Sequence, residues 1–265
     1  MSIHRPKDHV EVYRIKAMAA DIHEMSGRTG RPDLTAFVSH QILRALDLRA
    51  GQTVVDVGCG DGSLLRLICR EAGPLASHSL TGILPTAEEV ERLQSELRAS
   101  WPGLSILQGL ATSIPLPEET ADRVVLNGVL LLLKDEQEVL LCLRELYRIC
   151  KSGGQVFLGE VPDVDELTKR PYRDSITAWL WWVLRTQGAK EFFRRSRQVL
   201  RSFFGVANPF IIVPKRLFSS PPEHMRTLLE LVGFADVSVS RHMEVQPDGQ
   251  VMPSPTRWNY TMRKG

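Results

Sequence analysis

One stretch limits what this chain can fold into: Val54-Val55-Asp56-Val57-Gly58-Cys59-Gly60-Asp61-Gly62. A β-branched run ends abruptly in alternating glycines, and Ser63 to Glu71 after it carry apolar side chains at helical spacing. A strand that is apolar on both faces belongs inside a sheet covered on both sides, and a helix straight after a tight turn covers one of those faces. Closely spaced glycines also let the backbone approach a ligand, while the start of the helix turns unpaired N–H groups toward it. A plain tight turn is the competing reading.

The same alternation continues along the chain. Ser79 to Leu84 reads as a strand, Ala87 to about Ala99 as a helix, Leu104 to Leu107 and Arg123 to Asn127 as strands, and Glu136 to Cys150 as a helix. The turn Ser152-Gly153-Gly154 then leads into a strand from Gln155 to Glu160. Upstream, Asp33 reads as the N-cap of a helix through Leu34, Phe37, Val38, Ile42, Leu43 and Leu46, stopped at Arg49-Ala50-Gly51. This pattern predicts an α/β fold: a doubly wound, mostly parallel sheet of about seven strands. Residues 1–32 form a helical appendage, 33–160 the core, 161–216 a helical insertion, and 217–265 complete the sheet with a helix from Pro222 to Val232 and strands near Val237–Ser240 and Trp258–Met262.

Composition narrows the class further. The 265 residues are 43% hydrophobic and 24% charged, enough for one large core. No apolar run approaches the roughly 20 residues of a membrane-spanning helix, and MSIHRPKDHV lacks the apolar stretch of a secretory signal, so a cytoplasmic protein is expected. Cys59, Cys69, Cys142 and Cys150 lack CxxC spacing and clustered histidines, which predicts free thiols and no metal site.

The glycine spacing discriminates between nucleotide ligands. A dinucleotide fingerprint would place its third glycine where Ser63 stands. The tighter G-x-G-x-G, two residues after Asp56, resembles motif I of class I S-adenosyl-L-methionine (SAM)-dependent methyltransferases. Gly109 to Leu133 (GLATSIPLPEETADRVVLNGVLLLL) is similar to that family's adenine loop and fourth strand. Glu145 to Glu160 resembles its helix, GG turn and fifth strand, and Leu217 to Arg241 its closing helix and sixth strand. The resemblance implies SAM as cofactor, S-adenosyl-L-homocysteine (SAH) as product, and a cofactor site from Asp56, Gly58, Cys59, Gly60, Gly62, Leu84, Pro85, Thr86, Ala111, Thr112, Asn127 and Gly128.

Two positions depart from the family pattern. Leu84 stands where an acid usually grips the ribose hydroxyls, and Leu110 where an acid usually takes the adenine amino group. A hydrogen bond to a charged group is worth about 1.5–3 kcal/mol, so each loss weakens binding roughly tenfold to a hundredfold unless replaced. Thr86, Glu88 and Glu89 lie near enough to substitute at the ribose. The rival reading is a non-catalytic scaffold that keeps the fold.

Methyl transfer from a sulfonium needs a base only for a hydroxyl or protonated-amine acceptor. Glu160, His23 and Tyr13 are the candidate catalytic residues, Glu160 at a strand end and the other two in the appendage. Asn127-Gly128-Val129-Leu130 is not an Asn-Pro-Pro-Tyr-type motif, which argues for a small-molecule acceptor, glycosyl or natural-product in type, rather than a nucleobase. Between Asp165 and Arg216 the chain carries 11 Lys/Arg against 4 Asp/Glu. Within 176–204 an apolar ITAWLWWVL precedes a helix that sets Phe192, Phe193, Val199, Leu200, Phe203 and Phe204 opposite Arg194, Arg195, Arg197 and Arg201. Three readings stay open for it: a lid walling the acceptor pocket, a homodimer interface, or a peripheral membrane or lipid-linked substrate contact. Nucleic acid is not an expected partner.

Overall fold

Apolar strand faces, buried in pairs, build the frame. The computed structural model describes residues 3–4, 7–19, 21–26, 28, 31–71, 79–101, 103–163, 176–203, 210–211, 218–246 and 248–265. The sheet strands are β1 (Thr53–Val57), β2 (Ser79–Leu84), β3 (Ser105–Gln108), β4 (Ala121–Asn127), β5 (Cys150–Pro162), β6 (Phe234–Val245) and β7 (Val251–Lys264). The helices are α1 (His9–Ala17), α2 (Pro32–Leu46), α3 (Ser63–Glu71), α4 (Ala87–Leu97), α5 (Glu136–Ile149), α6 (Ile176–Phe203) and α7 (Pro222–Val232). Spatial order across the seven strands is β3-β2-β1-β4-β5-β7-β6; β7 runs antiparallel to both its neighbours, and the other pairings are parallel.

Each central strand packs in both directions. Val55, Val57, Val124, Leu126, Val156 and Leu158 face α5 and α7, whereas Val54, Val125 and Phe157 face α2, α3 and α4. The doubly covered run foreseen at Val54–Val57 is therefore real, and the mostly parallel seven-stranded sheet is present. Chain order reverses on either side of β1, so the crevice beyond the C-terminal ends of β1 and β4 is the ligand position for such a sheet.

Local details differ from expectation. Asp33 does not cap α2: the helix starts at Pro32 after Arg31 with no side-chain cap, and Asp33 pairs with Arg31 at 2.8 Å. Proline at the first helical position needs no N–H partner there, which makes that start available. β5 begins at Cys150, and β6 and β7 run much longer than the short strands read from sequence. Their outer stretches are polar, so periodicity alone understates them. All four cysteines are free. The edges of the 161–216 insertion fall on residues 164–175, 204–209 and 212–217, outside the described residues, as does Phe204.

Close packing behind the glycine turn makes one position intolerant. A Cβ on Gly82, in the middle of β2, would lie 2.6 Å from Cys59 Sγ, 2.8 Å from Ile106 Cδ1 and 2.9 Å from Leu65 Cδ1. Gly82→Ala is expected to lower unfolding free energy by about 1–3 kcal/mol. Urea denaturation followed by circular dichroism measures it, and an unchanged midpoint would contradict the packing.

Candidate functional site

The ends of β1, β2, β4 and β5 open onto a cavity of about 1100 Å³, at the upper edge of the roughly 300–1,000 Å³ usual for small-ligand sites. Gly58, Gly60 and Gly62 carry φ of 76°, 55° and 72°, values that only glycine adopts freely. The amides of Gly58 and Cys59 both point at the Ile83 carbonyl, 2.8 and 3.3 Å away. Those two N–H groups therefore lock the turn to β2, and the backbone of residues 58–61 lines the cavity. Gly62 packs instead against Leu93 and Leu97 of α4.

Three carboxylates surround this end. Asp61 accepts from the Ser63 N–H (3.1 Å) and hydroxyl (2.7 Å), and its other oxygen lies 2.6 Å from His23 Nδ1. Asp56 is 4% exposed, and no described hydrogen bond ends on its carboxylate. Burial, with the charge of Asp61 adding to it, pushes Asp56 up to about 7. Glu89 reaches the cavity from the first turn of α4 and is buried; burial pushes it up to about 7 against the opposing hydrogen bonds from Thr86. Thr86 caps α4 and gives its hydroxyl to Glu89 at 2.8 Å.

The opposite end is built on a β-bulge. Leu158 faces Tyr260 and Val161 faces Trp258, so Gly159 and Glu160 together oppose Asn259. Glu160 takes φ of 57° there, with its N–H held by Asn259 Oδ1 at 3.1 Å. That geometry turns its carboxylate into the cavity. Arg28 and Asn127 Nδ2 (3.0 Å) donate to Oε1, and Arg257 donates to Oε2 at 2.6 Å. Burial alone would raise this carboxyl, but Arg28 and Arg257, aided by His242, hold it well below the usual range. A proton acceptor is what these surroundings disfavour, contrary to the base role the sequence suggested.

The remaining candidates divide. Leu84, Pro85, Ala111, Thr112, Asn127 and Gly128 line the cavity, as do Tyr13 and Leu110. Thr86 lies behind the wall, Glu88 is exposed, and His23 reaches the turn through Asp61 without lining the cavity. Sequence reasoning missed Arg28, Arg257 and His242. Their partners are distant in the chain, so only the bulge residues Gly159-Glu160 hinted at them. From α6, kinked at Gly188, Trp179 and Arg195 reach the cavity, whereas Trp181, Phe193 and Leu200 stay exposed. No helix among the described residues is long and apolar enough to cross a membrane.

Comparison with other proteins agrees with this architecture. Residues 55–158 match a family model described as a methyltransferase domain. A demethylmenaquinone methyltransferase of Listeria monocytogenes is 28% identical over 118 residues, 44% of this chain and 47% of that protein. The chain spans less than half the length of the curated relatives it matches. Among solved structures, a SAM-dependent methyltransferase of Thermotoga maritima described as a possible histamine N-methyltransferase aligns with TM-score 0.58 and 16% identity over 96% of this chain and 99% of that one. PigF with SAH aligns with TM-score 0.60 and 18% identity over 97% of this chain and 63% of that one. Residues 55–158 thus match a methyltransferase domain, and the chain as a whole has the fold of these solved methyltransferase structures.

Two buried acids give the ligand-free protein a pH signature. Unfolded carboxyls titrate near 4, and the folded values of Asp56 and Glu89 are raised to about 7. Their contribution to stability is full below about pH 4 and is lost as pH rises through about 7. Glu160 acts in the opposite sense, but its window lies below its ordinary value of 4.5. Between pH 5 and pH 8 the two acids together should cost the protein on the order of 5 kcal/mol, and Asp56→Asn should recover part of it. Urea midpoints across that range test this; a flat wild-type profile would contradict it.

Proposed function

We propose that this chain, with its methyltransferase domain at residues 55–158, transfers the methyl group of SAM to an oxygen or nitrogen of a small-molecule acceptor. The observation that carries the reading is the acid cluster at the glycine turn. Asp56 and Glu89 are buried with raised proton affinity beside Asp61, so that end of the cavity favours a cationic ligand. SAM brings a sulfonium and an ammonium group, and the residues present fit it.

When bound, SAM supplies an activated methyl group whose displacement leaves a neutral thioether. What the chain adds is mostly position, which can contribute several kcal/mol to such an in-line transfer. The 58–61 backbone receives the amino-acid part, and Asp56 offsets its ammonium charge. Glu89 takes the ribose hydroxyls in place of the strand-end acid that Leu84 has replaced, arriving from one helical turn further along. Leu110 gives the adenine an apolar contact, and the backbone at Ala111 and Thr112 meets its edge. Tyr13 of α1 and Trp179 of α6 close the cavity over the acceptor. Glu160 orders Arg28 and Arg257 and is not the base. A small, natural-product-type acceptor suits an enclosed pocket, and the demethylmenaquinone methyltransferases among the relatives also support it.

Isothermal titration with SAM and SAH separates this reading from a scaffold that has lost its cofactor. Dissociation constants below about 100 μM are expected, and silence at millimolar ligand would leave the scaffold. Glu89→Gln should weaken SAH about tenfold to a hundredfold. Unchanged SAH affinity in that variant would remove Glu89 from the ribose.

A further inference from the structure

Building on the methyltransferase reading, we propose that the acceptor is an apolar molecule bearing an anionic oxygen, and that Arg28 and Arg257 receive that oxygen. Carboxylates and ionised aromatic hydroxyls share this chemistry.

Glu160 is shared between two cations. Two guanidinium groups converge on one carboxylate, Arg28 on Oε1 and Arg257 on Oε2 at 2.6 Å. Each guanidinium has five N–H donors in a planar fork, and each spends one of them on Glu160 in the described contacts. The two side chains are only 17% and 26% exposed, and both line the cavity. Partly desolvated arginine forks favour oxyanions, which accept two parallel N–H bonds.

Two other arginines that line the cavity already hold acids. Arg31 is committed to Asp33 at 2.8 Å, and Arg195 to Glu191 at 2.8 Å. Glu244 stands near Arg31 and His242 and forms no ion pair among the described residues. His242 is buried, its Nδ1 has no hydrogen-bond partner among the described residues, and burial disfavours its charged form. The rest of this wall includes Trp179, Val38 and Leu131, which suit an apolar or aromatic body.

The reaction then balances without a base. A lone pair on the anionic oxygen forms the O–CH3 bond, the S–CH3 bond breaks, and its electron pair stays on sulfur. No proton moves, and one negative and one positive charge disappear together. This accounts for a Glu160 that is held ionised and fully engaged.

Calorimetry on the full chain tests the proposal in two stages. SAH is titrated first; failure there sinks the methyltransferase reading, and the anion preference is then measured on the protein alone. With SAH bound, 2-naphthoate is compared with 2-naphthamide, and 4-nitrophenolate with 4-nitroanisole at pH 8. In at least one pair the anion should bind about tenfold tighter or more, and the pair that responds tells carboxylate from phenolate. Arg257→Gln and Arg28→Gln should each cut that preference about tenfold, with SAH affinity held within about threefold as the control for folding. If one variant loses SAH binding, the other carries the test. Equal affinity for charged and neutral probes, or no binding of any probe while SAH binds, overturns the proposal.

Discussion

The ion cluster at Glu160 joins parts of the chain that are far apart in sequence. Arg28 comes from the N-terminal segment, Glu160 from the bulge in β5, and Arg257 from β7. Removing one partner of a buried pair typically costs about 3–5 kcal/mol, because a charge is left without compensation. The left-handed backbone at Glu160 adds a further cost of roughly 1–3 kcal/mol that the surroundings must hold in place. These contacts shape the Glu160 end of the cavity. The N-terminal segment is drawn across the cavity, and Asn127 is fixed beside the bulge. Gly159 leaves the room that Asn127 needs, since a Cβ there would lie 2.7 Å from Phe157 Cε1 and 3.0 Å from Asn127 Cγ.

The cavity that results is electrically two-ended. Asp56, Asp61 and Glu89 gather where β1, β2 and α4 meet, while Arg28 and Arg257 gather over β5 and β7. Where burial reduces screening, as at Asp56 and Glu160, such fixed charges act more strongly than they would in solvent. The two ends of the cavity therefore suit groups of opposite charge.

Most of the frame is written locally. The Val54–Val57 run, the glycine spacing and the helical stretches starting at Ala87 and Glu136 are short-range signals, and the corresponding elements appear within a residue or two of where those signals place them. The site was less legible. Thr86 and Glu89 stand three residues apart, yet nothing in that spacing says that the carboxylate and not the hydroxyl reaches the cavity. Glu160 was visible as an acid at a strand end, but the meaning of that acid depends on Arg28 and Arg257, 132 and 97 residues away. Electrostatic character is a property of the assembled neighbours, and sequence order hides it. The length of β6 and β7 was hidden for a related reason: their outer stretches, 241–245 and 251–257, pair with each other without an apolar alternation to announce them.

The place of β7 in the sheet has a consequence for how the protein comes into being on the ribosome. Among the described residues β6 pairs with β7, which bridges it to β5, so β6 emerges before the strand that attaches it. The glycine turn and its acids, by contrast, depend on strands and helices synthesised earlier. A nascent chain can therefore shape the acid-lined end of the cavity while the arginine end is still missing, because Arg257 and Asn259 arrive together with β7.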